Sequence, residues 1–466
     1  MLNEFLILMK QELAITLIIF ILLVIKIGKG IKNELLLSMI QVLLLFNFIV
    51  GLFFIQEGNL FDGMYQTNAL MAFQKNILSF GTYLISLLFA GWLKKTPHLS
   101  EFFILILAAL LGMFFLISSG NLLMFFLSLE LATIPVAALV NFDLEKKISA
   151  EGAMKLILSS AFSSGILLFG ISLIYGATGT IRFAELPHLI AVGPLQILAF
   201  IFVFTAFAFK LAVVPFHLYT ADVYEGAPVA VTSFLSVISK GSIAFILMTA
   251  LYKVFQPLHA VSYDLLVILS ITSMVIGNLF ALRQNNLKRF LAFSSIAQVG
   301  FILVGISAAT TQGLAAVVYF ILIYIFSNLG AFGVIGIISS ATGKENMTDY
   351  KNLYQNNKLL SWVLALSLFS LAGIPPTAGF FGKLFLITAG AGAGKVWFIV
   401  IVVLNLVVSL YYYLKVVKSM FMDKNDHPIE TVIISRSAKL GLIICATGIV
   451  LIGLLSWAYD YILQLV

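Results

Sequence analysis

The sequence holds a single cysteine in 466 residues, Cys445, inside an apolar run. An internal disulfide is therefore excluded, and an iron–sulfur cluster or a cysteine-rich zinc site would lack its ligands, so no metal or redox cofactor is expected in this chain. Charge is scarce too: 10% of residues are Asp, Glu, Lys or Arg against 61% hydrophobic, and the mean hydropathy is +1.10. Such values lie outside the soluble range and mark an integral membrane protein. A net charge of +7 would suit a nucleic acid, but the basic residues stand singly or in pairs between apolar runs, with no aromatic-interleaved patch, so that partner is excluded. A phosphate-binding loop is missing as well, since the glycine-rich stretch 389–395 lies at a helix end without a Walker-type strand and turn. Lys10 and Glu12 precede a long apolar run with no small-residue cleavage site, so the first helix is expected to be retained.

What is present is a series of apolar stretches of about 20 residues, each long enough to cross a bilayer. They predict an all-α polytopic membrane protein of about fourteen spans, near 5–27, 34–55, 74–93, 101–119, 121–141, 150–175, 195–221, 228–254, 263–282, 291–309, 315–340, 359–390, 396–418 and 436–463. The loops near 341–358 and 419–435 have room for a short surface helix at most. Odd-numbered connections carry most of the cations, including Lys26, Lys29 and Lys32, the pairs Lys94–Lys95 and Lys146–Lys147, and Arg283, Lys288 and Arg289. Even-numbered ones carry little beyond Arg182, Lys253 and Lys395. By the positive-inside rule the odd loops are cytoplasmic and both termini face the periplasm or exterior.

Inside these spans stand Glu130, Lys155, Lys210, Lys240 and Lys383. A lysine at the bilayer centre costs about 2.5–3.5 kcal/mol on insertion scales, so four cost on the order of 10 kcal/mol, more than an anchor would retain. Desolvation favours a lysine's neutral form and a nearby carboxylate its charged form, which fits such a group to take up and release a proton. Lys210 and Lys383 accompany helix breakers, at Pro215 in the seventh span and at Pro375 and Pro376 in the twelfth. The two interruptions are five spans apart, an odd number, which predicts two five-helix units of opposite orientation, spans 4–8 and 9–13, each with a broken helix and with its lysine at a corresponding place. The organisation expected is one transmembrane domain over 1–466: helices 1–3 over 1–100, repeats over 101–254 and 263–418, and a last helix over 436–463.

Blander readings compete at each position. Glu130 would also serve in a purely structural ion pair, Lys155 is close enough to the end of its span to snorkel to the surface, and His217 would sit well as an interfacial histidine. Lys240, near the middle of span 8, has little scope to snorkel. Asp222 and Glu225 read as solvated loop acids.

At these same residues the chain resembles the antiporter-like membrane subunits of respiratory complex I, the N type among them, along nearly its whole length. The matching passages are Ser-Leu-Glu-Leu-Ala-Thr-Ile-Pro at 128–135, Tyr-Gly-Ala-Thr-Gly-Thr-Ile at 175–181, and Val-Pro-Phe-His-Leu-Tyr-Thr-Ala-Asp-Val-Tyr-Glu-Gly-Ala-Pro at 214–228. They continue with Leu-Ala-Phe-Ser-Ser-Ile-Ala-Gln-Val-Gly-Phe at 291–301, Ser-Asn-Leu-Gly-Ala-Phe-Gly at 327–333 and Leu-Ala-Gly-Ile-Pro-Pro-Thr-Ala-Gly-Phe-Phe-Gly-Lys at 371–383. The wording at 222–228 is the specific one, since M- and L-type subunits usually carry a histidine-containing version.

The resemblance implies a fourteen-helix proton channel without a cofactor of its own. It would be driven by NADH-to-quinone electron transfer through FMN and iron–sulfur clusters in other subunits, and would lie in the cell inner membrane among M-, L-, K-, J- and A-type partners and lipid. It implies that Glu130 pairs with the input-side Lys210, that Lys240 passes protons along the central axis, and that Lys383 is the output-side lysine. His217 and Lys155 match family positions between and beside the half-channels. Ser294, Ser295 and Gln298 belong to the relay region, with Gln298 standing where many relatives have histidine, so that transfer there would run through water. The alternative is a subunit of a multisubunit cation/proton antiporter, or of a related membrane-bound hydrogenase or dehydrogenase complex.

Overall fold

A computed structural model describes residues 2–28, 31–53, 56–392, 395–455 and 457–466; Lys29 and the end of the second expected span at 54–55 lie outside the described residues. Among the described residues, eleven helices are long and apolar enough to cross a membrane. The remaining expected spans are Lys10–Ile27, Ala69–Leu88 and the broken pair Lys358–Ala372 and Ala378–Ala391, so all fourteen expected spans have a helical counterpart. The chain is a multi-pass membrane protein.

Helix ends fall where the sequence supplies a cap. Asn68, Asn121, Asn286, Thr310 and Ser435 each accept a backbone N–H of the following first turn. Gly179 and Gly343 end two helices of 32 residues, Lys147–Thr178 and Thr311–Thr342, at φ of 74° and 71°. These helices are spans 6 and 11, and the likeness extends to their surroundings: Asn121, before span 5, bridges to Arg182 after span 6, and Asn286, before span 10, bridges to Asn346 after span 11. The five-span repeat is thus visible element by element, with opposite orientation because five is odd.

Burial separates an axis from a rim. The helix Leu287–Ser307 is buried along its spanning window, Thr311–Thr342 and Val229–Val254 almost so, while spans 2, 6, 13 and 14 present apolar faces outward. Lipid offers no hydrophobic drive for helix association, so close approach by small residues does the work. Spans 9 and 10 show it: a Cβ on Gly277 would lie 2.7 Å from the Ala297 nitrogen and one on Gly300 2.9 Å from the Ser270 carbonyl oxygen, whose own hydroxyl donates to Gly300 O at 2.8 Å.

Three local features differ from the sequence expectation. The third span begins at Ala69, five residues before its expected start, so Gln74, Lys75 and Asn76 lie buried within the helix instead of at its first residues. The connection before it folds into a hairpin, Gly58–Leu60 against Tyr65–Thr67. The last span is two helices, Arg436–Leu454 and Trp457–Leu465. The connection near 341–358 holds only one turn of 3₁₀ helix, Met347–Tyr350, and the short helix Leu353–Asn356, as expected.

Candidate functional site: a file of buried lysines

Span 7 stops at Leu211 because Ala212 turns left-handed (φ 58°); a cis Val214–Pro215 bond follows, and helix resumes at Leu218–Gly226. Groups freed by the break are satisfied by side chains: Val214 N donates to Ser273 Oγ at 3.1 Å and Tyr219 OH to Phe209 O at 2.9 Å. Lys210 occupies the last turn before the break, where a helix's carbonyl end favours a cation. Its Nζ donates to Thr133 Oγ1 and Ser160 Oγ, both at 2.6 Å. Glu130 instead accepts from Ser164 Oγ. The direct Glu130–Lys210 pair implied by the family resemblance is corrected: among the described residues the two form no ion pair within 4 Å. Thr133 lies three residues beyond Glu130 on span 5, and Ser160 four before Ser164 on span 6, so each lies about one turn along the same face. The ammonium is therefore solvated by hydroxyls, with the carboxylate one shell further out.

Lys240 follows a π-helical stretch, Phe234–Ser239, of the kind often found at functional sites. It is 5% exposed, donates to Ser295 Oγ at 2.8 Å, and lies 5.8 Å from the centre of the Tyr224 ring. A cavity of about 40 Å³ opens between the two lysines, lined by Thr133, Lys210, Tyr219, Tyr224, Ser239 and Lys240 among others. A cavity needs roughly 10–15 Å³ of such volume to hold a water, so this one has room for at least one.

Span 12 breaks at Gly373 (φ 84°) and a cis Pro375–Pro376 bond. Lys383, 1% exposed, reaches back across this break: Nζ donates to Leu371 O at 2.6 Å and Ala372 O at 3.4 Å, and lies 4.7 Å from the Phe301 ring centre. Gly373 is favoured by its positive φ, and a Cβ there would come within 3.2 Å of Lys383 Cδ. The expectation of corresponding places is corrected here: Lys210 precedes its break by two residues, whereas Lys383 follows Gly373 by ten. The reason is what each uses as a partner, hydroxyls of spans 5 and 6 in one case and carbonyls freed by its own break in the other.

Span 10 connects the two halves. Ser295 meets Lys240, and its neighbour Ser294 is hydrogen-bonded to Tyr413 OH. Gln298, one turn on, donates through Nε2 to Tyr413 OH at 3.0 Å and to Leu371 O at 2.9 Å, the carbonyl that also accepts from Lys383. Ser294, Ser295 and Gln298 are thus brought together with both lysines. Through its amide N–H groups Gln298 ties Tyr413 to the Leu371 carbonyl, while its Oε1 is buried without a protein partner among the described residues. Tyr413 was missed because nothing in its run of three tyrosines, 411–413, marks one of them as facing the axis.

The other expected residues are elsewhere. His217 is buried against Phe280, with ring centres 6.5 Å apart and Nδ1 unpartnered, and among the described residues it bonds to none of the lysines. Lys155 neither snorkels freely nor joins the file; it pairs with Glu151 and Asp222, each at 2.6 Å. Asp222 and Glu225 are not solvated loop acids: Asp222 also holds Arg289 at 2.8 Å, Glu225 holds it at 2.6 Å, and Lys288 caps the Glu225 carbonyl at 2.6 Å, so this network ties the first repeat to the second. A buried Glu12–Lys75 pair at 2.5 Å was also missed, since both residues read as flanks of their spans.

Replacing Gln298 by leucine removes a donor from both Tyr413 OH and Leu371 O, each short hydrogen bond loss costing about 1–3 kcal/mol when a buried group is left unmet. Gln298→Leu is therefore expected to lower the thermal unfolding midpoint of the detergent-purified protein, and Gln298→His, which keeps a donor, to lower it less.

The sequence profile of the family described as NADH:quinone oxidoreductase/Mrp antiporter, transmembrane, matches residues 119–409. NADH-quinone oxidoreductase subunit N of Phocaeicola vulgatus is 48% identical over 409 residues, 87% of each chain. The subunit of that name from Azobacteroides pseudotrichonymphae is 44% identical over 88% of this chain and 86% of its own. A chain of respiratory complex I from Thermus thermophilus superposes with a TM-score of 0.80 at 26% identity, covering 98% of both. A chain of the Mrp complex from Dietzia has the same fold, with a TM-score of 0.83 at 20% identity over 99% of this chain and 95% of its own.

Proposed function

The chain belongs to the NADH:quinone oxidoreductase/Mrp antiporter transmembrane family, and on that premise we propose that it is a proton-translocating membrane-arm subunit of an NADH-quinone oxidoreductase. The observation that carries the proposal is the polar file: Lys210 and Lys240 share one cavity, Lys240 meets Ser295, and from the next residue, Ser294, hydrogen bonds run through Tyr413, Gln298 and the Leu371 carbonyl to Lys383. Such a file is what proton transfer needs, each buried amine being a place where a proton can rest and each hydroxyl a place through which it can pass.

The chemistry in this chain is then transfer without redox change. A proton on Lys210 leaves for water in the cavity when the negative charge of Glu130 is drawn toward another cation, and Lys240 receives it. Tyr413 and Gln298 then hold the geometry through which Lys383 is charged. Moving one charge against about 100 mV costs about 2.3 kcal/mol, so the drive comes from electron transfer in partner subunits of M, L, K, J and A type. With one cysteine, the chain itself is proposed to bind no flavin, haem or iron–sulfur cluster. Residues 101–254 and 263–418 are the two half-channels on this reading. Both termini face the exterior of the inner membrane.

In the assembled complex Lys210→Ala is expected to cut proton pumping and coupled NADH oxidation at least about tenfold, in the range of losing a positioned acid–base group. Lys210→Arg should do no better, since a guanidinium keeps its proton near neutral pH. Glu130→Gln should lose less, because the carboxylate acts from beyond the hydroxyls, and Glu130→Asp less still. Normal pumping by assembled Lys210→Ala would send the proton path elsewhere.

Orientation has its own check. Cysteines introduced within 283–289 and at Val466 should react with membrane-impermeant thiol reagents from the cytoplasmic and exterior sides respectively. Labelling of Val466 from the cytoplasm would reverse the assignment.

A further inference from the structure

The matched family region begins at residue 119, yet the most deeply buried ion pair among the described residues lies before it. Glu12 and Lys75, with side chains 2% and 1% exposed, meet at 2.5 Å, and Tyr65 OH lies 3.1 Å from both the carboxylate and the ammonium. Tyr65 belongs to the hairpin that closes this end of spans 1–3, and its hydroxyl also donates to Leu8 O at 3.0 Å. An ion pair in this setting is a poor source of stability, since apolar residues of similar volume would pack as well.

The surroundings are more polar than a pair alone needs. Among the described residues, Glu12 Oε2, Gln11 Nε2, Asn76 Oδ1, Asn47 Oδ1 and Ser118 Oγ are all buried without a hydrogen-bond partner. Two of them converge on Gly51, where a Cβ would lie 2.1 Å from Asn76 Oδ1 and 2.4 Å from Gln11 Nε2. Buried polar groups are normally met, and ordered water meets them when protein does not. From the pair, a stripe runs down span 3 at helical spacing: Lys75, Ser79, Thr82 and Ser86, all buried. Span 2 faces it with Asn47, which donates to Ser79 Oγ at 2.7 Å, and Gln41, which donates to Ser86 O at 3.0 Å. At the far end Asn33 donates to Thr96 O at 2.9 Å, beside the exposed Lys94–Glu34 pair.

We infer that spans 1–3 hold a second, hydrated proton file, separate from the lysine file and gated by Glu12 and Lys75 at its hairpin end. In the transfer step an N–H bond of Lys75 breaks and an O–H bond forms on Glu12, turning ammonium and carboxylate into amine and carboxylic acid without change of net charge. The acid then gives its proton to water on the Oε2 side, and a proton arriving through the water against Ser79 restores the ammonium. Tyr65 holds both partners in register throughout.

Two measurements on the assembled complex test this, taking the host complex to be the proton pump proposed above. Radiolytic hydroxyl-radical labelling modifies buried side chains where ordered water lies against them. Tyr65 should be oxidised although it is 1% exposed, and Phe102, equally buried among Trp92, Phe103 and Phe142, should not. An unlabelled Tyr65 means a dry pair and overturns the inference. Ser79→Ala, which removes the hydroxyl without adding an atom, should then interrupt the file, lowering the protons released per NADH oxidised while NADH oxidation continues. Unchanged protons per NADH would leave the site hydrated but non-conducting, and the inference fails. Failure of the lysine-file reading is distinguishable, because it would show as pumping indifferent to Lys210 with Tyr65 labelling intact.

Discussion

An ammonium group inside a membrane must be solvated by the protein, and how that is done here decides the rest of the structure. Each of the three lysines on the axis is met by neutral oxygens: Thr133 and Ser160 for Lys210, Ser295 for Lys240, Leu371 O and Ala372 O for Lys383. Neutral partners hold a cation less tightly than a carboxylate does, so either protonation state can be accommodated without an orphaned countercharge. Glu12–Lys75 shows the opposite solution, an ammonium met directly by a carboxylate.

The helix breaks follow from the same requirement. A continuous helix spends its carbonyls on its own ladder; a left-handed residue at Ala212 or Gly373 releases some of them within the span. In span 12 the released carbonyls serve Lys383 directly, while in span 7 the freed groups are taken by Ser273 and Tyr219, and Lys210 looks outward to spans 5 and 6. The repeats share architecture and diverge in what their lysines touch.

Much of this was legible from the residues. Apolar run lengths place fourteen spans, Pro215, Pro375 and Pro376 mark both breaks, and the odd spacing between them implies inversion. Intraspan charges name Lys210, Lys240 and Lys383. What stayed hidden depends on which side chains face each other across spans: that hydroxyls separate Glu130 from Lys210, that Tyr413 links Ser294 to Gln298, that Arg289 gathers Asp222 and Glu225. Glu12 and Lys75 were hidden for another reason, since charge near the end of an apolar run looks like an interface. The spacing of Lys75, Ser79, Thr82 and Ser86 on one helical face was the available signal.

The central claim is that Lys210 and Lys240 exchange protons through the cavity of about 40 Å³ between them. Ser239 lines that cavity without bonding either lysine, so Ser239→Leu fills the water space and leaves both amines their partners. Proton release per NADH oxidised, measured on the assembled Ser239→Leu complex in vesicles, tests the claim most directly. The account predicts that pumping falls sharply; pumping at the unsubstituted level would contradict it.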